Sequence, residues 1–254
     1  MRDSHLAVEV SLDSVRFVSI KNNVIVNQHD GIITGKDGTE KRASLDETYQ
    51  SASFLKDDFE EITVSWSTDK SSLIPNAIFS ASTPQSIFEL CYGKDTSKHE
   101  IDYNRISELS VINVYEIPIW IKSFFVIKYP RVIIQHTGSH LVRRVLDENA
   151  FKVKATIVLF DTYFQLTIVK HNELIFYSSF DYQSAEDVIY HLNFALQQKE
   201  VVNEKGTIEL ATGIGSNPEI PALIKEGLGK IKELRKMEIR KDADYMAKSQ
   251  LLCV

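Results

Sequence analysis

The chain has few cysteines, no surplus of basic residues and no long apolar run, and each shortage excludes something. Only Cys91 and Cys253 occur in 254 residues, far apart and with no Cys-x-x-Cys spacing. A disulfide framework and a zinc site are therefore not expected, and a reducing, cytoplasmic setting is the simplest reading. The formal net charge is −6. A general nucleic-acid surface needs excess Lys and Arg against phosphate, so no nucleic-acid partner is expected. The most apolar stretch, "IPIWIKSFFVIKYP", is interrupted by Lys122 and Lys128 and falls short of the roughly 20 residues a spanning helix requires. The opening "MRDSHLAVEV" has no apolar core of signal-peptide length. Direct membrane insertion is not expected. Walker-type loops, nucleophile elbows and His-Glu-x-x-His are missing too.

What is present is periodicity. "LAVEVSLDSVRFVSIKNNVIVNQ" alternates apolar and polar residues, turns at Lys21-Asn22-Asn23 and resumes at Val24. "ATIVLFDTYFQLTIVKHNELIFYSSF" repeats the scheme: Phe164, Leu166 and Ile168 share a face, the chain turns at Lys170-His171-Asn172-Glu173, and Leu174-Ile175-Phe176 resumes. Period-two alternation marks strands, and Asn supplies turns. Each unit carries an acid ahead of its second strand, Asp13 and Asp161. Two related halves follow as an expectation, residues 1–148 and 149–254.

Between and after these units the pattern is mixed. "EITVSWSTDKSSLIP" predicts a hairpin, and "STPQSIFELCYG" a helix capped at Ser82 or Thr83 and stopped at Gly93. "LSVINVYEIP" and "RVIIQH" predict strands, while "PIWIKSFF" and "SHLVRRVLDENA" predict helices. Ser184 caps a helix with Val188, Leu192, Ala195 and Leu196 on one face, and Asp187 suits its positive end. "GTIELATGIG" reads as a strand entering a glycine turn. Ile220, Leu223, Ile224, Leu228, Ile231 and Leu234 form one apolar stripe. "TGKDGTEKRAS" reads as a loop or extension. The cluster Lys225, Lys230, Lys232, Arg235, Lys236, Arg240 and Lys241 is interleaved with Glu226, Glu233 and Glu238, which describes a solvated helix face. His136 and His140 stand four apart, but no third ligand lies nearby, so no metal is expected.

The strand–hairpin–helix–strand–helix order, given twice with an Asp in each leading hairpin, resembles the actin-like ATPase superfamily. "LIPNAIF", "INVYEIPIWIKSFF", "LIFYSSFDYQSAEDVIYHL" and "IELATGI" resemble more closely a Bacteroidetes family of unknown function assigned that fold; the pilus-assembly protein PilM and the division protein FtsA are similar in outline. The resemblance implies an α/β protein of duplicated ribonuclease-H-like halves, mixed sheets flanked by helices. It also implies a nucleotide held by two Asp-x-Gly hairpins and a late Gly-Gly turn, because backbone amides reach phosphate oxygens only where no Cβ intervenes.

Carried onto this chain, that set becomes Asp13, Asp161, Thr162, Gly213, Gly215 and Ser216. Asp13 is followed by Ser14-Val15 and Asp161 by Thr162-Tyr163, so neither hairpin has its glycine. The late turn Gly213-Ile214-Gly215-Ser216 matches in part. No catalytic residue and no resident cofactor are expected, only a vestigial ATP–magnesium site. The function expected is that of a non-catalytic scaffold or assembly protein holding a protein partner. The alternatives are a divergent nucleotide-binding ATPase or phosphotransferase using Asp161, and an unrelated α/β binding module.

Overall fold

The computed structural model of the chain describes residues 4–80, 82–94, 99–242 and 244–253. Contacts divide it into two compact units. The described parts of Met1–His140 and Ala247–Val254 form one, and Leu141–Met246 the other.

In the first unit, β1 (Ser4–Val10), β2 (Ser14–Lys21) and β3 (Val24–Ile32) form an antiparallel meander. α1 (Gly38–Ser51) follows, and then β4 (Glu61–Trp66), which pairs parallel to β1. The chain leaves this sheet for β5 (Ser71–Pro75), α2 (Pro84–Tyr92), β6 (His99–Ile106) and β7 (Val111–Pro118), where β5, β7 and β6 make a separate three-stranded antiparallel sheet. It returns through α3 (Ile119–Lys128) to β8 (Ile133–His136), parallel to β4, and enters α4 (Thr137–Asp147). The main sheet order is β3-β2-β1-β4-β8.

The second unit has β9 (Val153–Leu159), β10 (Tyr163–Lys170), β11 (Glu173–Asp181), α5 (Ala185–Gln198), β12 (Gly206–Thr212), α6 (Ile220–Lys230) and β13 (Met237–Asp242); α7 (Tyr245–Ser249) comes after them. Its sheet order is β11-β10-β9-β12-β13, with the same antiparallel and parallel pairings as in the first unit. β9, β10 and β11 each start 149 positions after β1, β2 and β3, at Val153, Tyr163 and Glu173 against Ser4, Ser14 and Val24. Both hairpins turn through two left-handed residues, Asn22-Asn23 and His171-Asn172. This geometry matches the right-handed twist of the flanking strands. Each has a register irregularity at the same place, between Ser19 and Ile20 and between Ile168 and Val169.

The central strands of both sheets are buried on both faces, and one face of each sheet packs against two helices. Leu6, Val8, Phe17 and Trp66 pack with Leu45 of α1 and Phe124 and Phe125 of α3. Ile157, Phe164, Leu166 and Ile168 pack with Val188 and Leu192 of α5 and Ile224 and Leu228 of α6. Each such buried side chain contributes about 1.5–3 kcal/mol. The expected cap of α5 is present as a capping box, with Ser184 and Asp187 exchanging hydrogen bonds.

Three expectations are corrected. Residues 61–75 are not a hairpin: β4 and β5 belong to different sheets, and residues 67–70 carry the chain from one to the other. "TGKDGTEKRAS" is a loop only over residues 34–37; from Gly38 it is α1, which Asp37 caps by accepting from the amides of Thr39 and Glu40, satisfying two of its unpaired donors. The stripe from Ile220 to Leu234 is not one helix. α6 ends at an extended Ile231, a 3-10 turn spans Lys232–Leu234, and the edge strand β13 follows.

Candidate functional site

The sites expected from sequence lie at the ends of β1, β9 and β12. In the first unit, Ser11 Oγ accepts from the amides of Asp13 (3.3 Å) and Ser14 (3.1 Å) and meets Ser14 Oγ at 2.8 Å. The turn thus binds its own amides. The Asp13 carboxylate pairs with Lys41 Nζ at 2.7 Å, and Lys41 also donates to the Leu12 carbonyl, tying the turn to α1. The Asp13 side chain is 77% exposed, so this pair adds little stability.

In the second unit, Phe160 is buried and its ring stacks on Tyr163, 4.6 Å between centroids. Tyr163 turns inward to join Val158, Ala211 and Ile214 in the core. A Cβ on Gly213 would stand 2.3 Å from the Phe160 ring, so the missing side chain makes room for that ring. Tyr182 OH donates to the Phe160 carbonyl at 2.6 Å. Burial, reinforced by the charge of Asp161, raises the Tyr182 phenol above its ordinary pKa. Gly215 takes a left-handed φ of 77°, and Ser216 N–H reaches back to the Gly213 carbonyl.

The second unit therefore brings Asp161, Thr162, Gly213, Gly215 and Ser216 to one end of its sheet, where the Gly213 amide donates to the Leu159 carbonyl at 2.7 Å. Asp13 belongs to the first unit. The two aspartates are not counterparts. Ile33 N–H donates to the Asp13 carbonyl as Tyr182 N–H does to that of Thr162, so Asp13 corresponds to Thr162, and Asp161 to Leu12. By the same logic Ser67, whose amide donates to the Val10 carbonyl, stands where Gly213 does. Sequence reading missed Ser11, Lys41 and Phe160; the serine two residues before Asp13 was the available signal.

His136 ends β8 and His140 lies in α4, both buried. His136 Nε2 faces the Thr68 carbonyl at 2.9 Å and so carries the proton. Nδ1 accepts from Gly138 N–H and Asn113 Nδ2, each at 3.0 Å. Burial, opposed by the Thr68 contact, lowers the imidazole to a pKa of about 4. Asn104 Oδ1 accepts from His136 N–H (2.8 Å) and Ser139 Oγ (3.0 Å). This is a buried neutral network. Among the described residues, no group of three His, Cys, Asp or Glu could hold a metal ion.

A surface hollow of about 840 Å³ opens in the first unit between α1 and α3. It is lined by Gly38, Thr39, Arg42, His99, Ile119 and Trp120, with Asp37 and Ser123. Gly38 is required here: a Cβ would lie 2.8 Å from the Trp120 indole. Arg42 Nη1 donates to Ser123 Oγ at 3.2 Å, and Ile119 is 53% exposed. Arg42 lay hidden in the segment that sequence read as a loop.

Two five-stranded sheets of one order, each flanked by helices, define an actin-like ATPase fold of ribonuclease-H-like halves. The chain belongs to the DUF3822 family of proteins of unknown function, whose family model matches residues 2–226. It is similar to a Bacteroides thetaiotaomicron protein with actin-like ATPase fold and unknown function. That likeness has a TM-score of 0.74 and 16% identity, and covers 100% of this chain and 96% of that one. It is also similar to a chain of the PilM–PilN type IV pilus biogenesis complex, with a TM-score of 0.55 and 10% identity over 97% and 90% of the two chains. Identities this low establish the fold alone, which removes the reading as an unrelated α/β module. No curated protein matches the chain in sequence. Among the described residues, no helix is long and apolar enough to cross a membrane.

Proposed function

We propose that this protein is a non-catalytic member of the actin-like fold that works by holding a protein partner. One observation supports the reading most directly: in the first hairpin turn the chain's own serine takes the amides that would face a phosphate, and in the second unit an aromatic ring fills the space beside the late glycine turn. Ser11 Oγ takes the amides of Asp13 and Ser14, and the Phe160 ring takes the space left by Gly213. The filled first turn speaks against a bound magnesium–nucleotide there. Lys41 pairs with Asp13, and Ser11 Oγ meets the amides of Asp13 and Ser14 that would otherwise face developing charge. Phosphoryl transfer depends on such preorganised donors, and losing one costs about 100- to 1,000-fold in rate.

Partner binding is supported by the hollow between α1 and α3, and by the similar fold of a chain in a protein–protein complex of pilus biogenesis. The equal strand order and the constant offset of 149 positions support an origin by duplication. We assign the protein to bacterial cytoplasm, a setting that suits the exposed free thiol of Cys91, and to partners other than nucleic acid.

The test is phosphate release by pure protein with Mg-ATP, together with a thermal shift. Background turnover and an unchanged melting temperature are expected, since a ligand that binds the folded state raises stability with saturation. Steady turnover abolished by Asp161→Ala would establish the second reading, a divergent ATPase or phosphotransferase. That reading is favoured by the exposed Asp161, which makes no hydrogen bond among the described residues.

A further inference from the structure

Two hollows meet on the first unit. Beside the larger one, a second of about 370 Å³ is lined by Thr39, Arg42, Ala43, Asp46, Phe124, Ile127 and Lys128. Thr39 and Arg42 border both. The residues fall on single helix faces. Thr39, Arg42, Ala43 and Asp46 recur at helical spacing along α1, and Trp120, Ser123, Phe124 and Ile127 at the same spacing along α3. The hollows are thus one crevice between the two helices, with Arg42 at its middle.

The charges along this crevice are spent, except one. Asp46 pairs with Lys128 at 2.6 Å. Asp37 caps α1, and His99 Nδ1 meets Glu116 at 3.0 Å. Arg42 has the neutral Ser123 hydroxyl as its hydrogen-bond partner, and no carboxylate of the described residues pairs with it. A guanidinium presents a fork of donors suited to a carboxylate. To either side of it α3 leaves apolar residues in solvent: Ile119 at one end is 53% exposed and Ile127 at the other 66%.

We infer that this crevice binds a short extended peptide segment of a partner protein, with one acidic residue between two apolar ones. The inference rests on the partner-holding reading above and specifies the chemistry of that partner. The acid meets Arg42, and the apolar side chains cover Ile119 with Trp120 and Ile127 with Phe124. Eight helical residues separate Ile119 from Ile127, about 12 Å. Four extended residues span about 13 Å, so the segment reads apolar–x–acid–x–apolar. Charge complementarity selects this occupant: a basic residue in the middle would oppose Arg42 in a half-enclosed site.

The test uses the purified full chain and fluorescein-labelled short peptides centred on Leu-Ser-Asp-Ser-Leu, Leu-Ser-Asn-Ser-Leu or Leu-Ser-Lys-Ser-Leu, read by anisotropy. The Asp peptide should bind about 10- to 100-fold more tightly than the Asn peptide, as expected for a hydrogen bond between charged groups. That preference should weaken with added salt. Arg42→Gln should erase it, and Ile127→Ser should weaken all binding; both positions lie outside the core, and melting temperature verifies folding. Equal binding of the Asp and Lys peptides, or an Arg42→Gln protein that keeps the preference, overturns the crevice. A native partner captured equally by wild type and both variants also overturns it, while leaving the partner-holding reading standing. ATP turnover by the pure protein overturns that reading instead.

Discussion

The Phe160 ring lies against Gly213 so closely that a single added carbon would stand 2.3 Å from it. The contact joins the end of β9 to the end of β12 and leaves the ring 2% exposed. Gly213→Ala should therefore destabilise the protein by about 1–3 kcal/mol through overpacking. Urea denaturation measures this, and Phe160→Leu in the same chain should recover part of the loss. Equal stability of wild type and Gly213→Ala would show that the ring moves freely.

Ser11 holds two backbone amides that have no other described acceptor in the turn. Ser11→Ala should cost about 0.5–1.5 kcal/mol, as for a typical hydrogen bond, without raising ATP turnover above background. Chemical denaturation reads the first outcome and phosphate release the second. A variant that gains Mg-ATP affinity would mean that the serine alone blocks the site.

His136 makes stability depend on pH. Its folded pKa is lowered to about 4 from 6.5. Between those values the unfolded chain binds a proton that the folded chain does not. Its contribution is full above pH 6.5 and is lost as pH falls toward 4, by at most about 1.4 kcal/mol per pH unit. Urea midpoints at pH 7 and pH 5 should differ more for wild type than for His136→Gln, which begins lower because its network is broken. Equal differences in the two proteins would remove His136 as the source.

Asn22 and Asn23 both occupy left-handed conformations, φ 51° and 63°. Glycine adopts that region without steric cost, and Asn-Gly is the preferred pair for such a two-residue turn. Asn23→Gly should stabilise the hairpin by about 0.5–1 kcal/mol, and Asn23→Val should destabilise it. Thermal melts of the two variants should move in opposite directions.

The sequence was most legible where local chemistry and burial agree. The alternation in β2 and β10, the Asn turns and the Ser184 cap each point to the structure observed. α1 was obscured because its main support is a cap and a helix neighbour rather than an apolar face: Leu45 is its one buried residue. β13 was obscured because Ile231 and Leu234 continue the period of α6, while the backbone becomes extended at Ile231. The candidate nucleotide residues are chosen by type alone, and Asp13 and Asp161 differ by one position in register, which only the hydrogen bonds after β3 and β11 disclose. The crevice could not be read at all, because Arg42 and Trp120 lie far apart in the chain and meet only when α1 packs on α3.

The packing of Gly38 beneath Trp120 also gives the protein an internal optical gauge. Of the two tryptophans, Trp66 is 2% exposed with its indole N–H donating to the Glu116 carbonyl, whereas Trp120 is half-buried at the wall of the crevice. A soluble quencher such as acrylamide should reach Trp120 and leave Trp66 dark to it. The quenchable part of the emission thus reports, without any label, how close α1 stands to α3 and whether something lies between solvent and the indole.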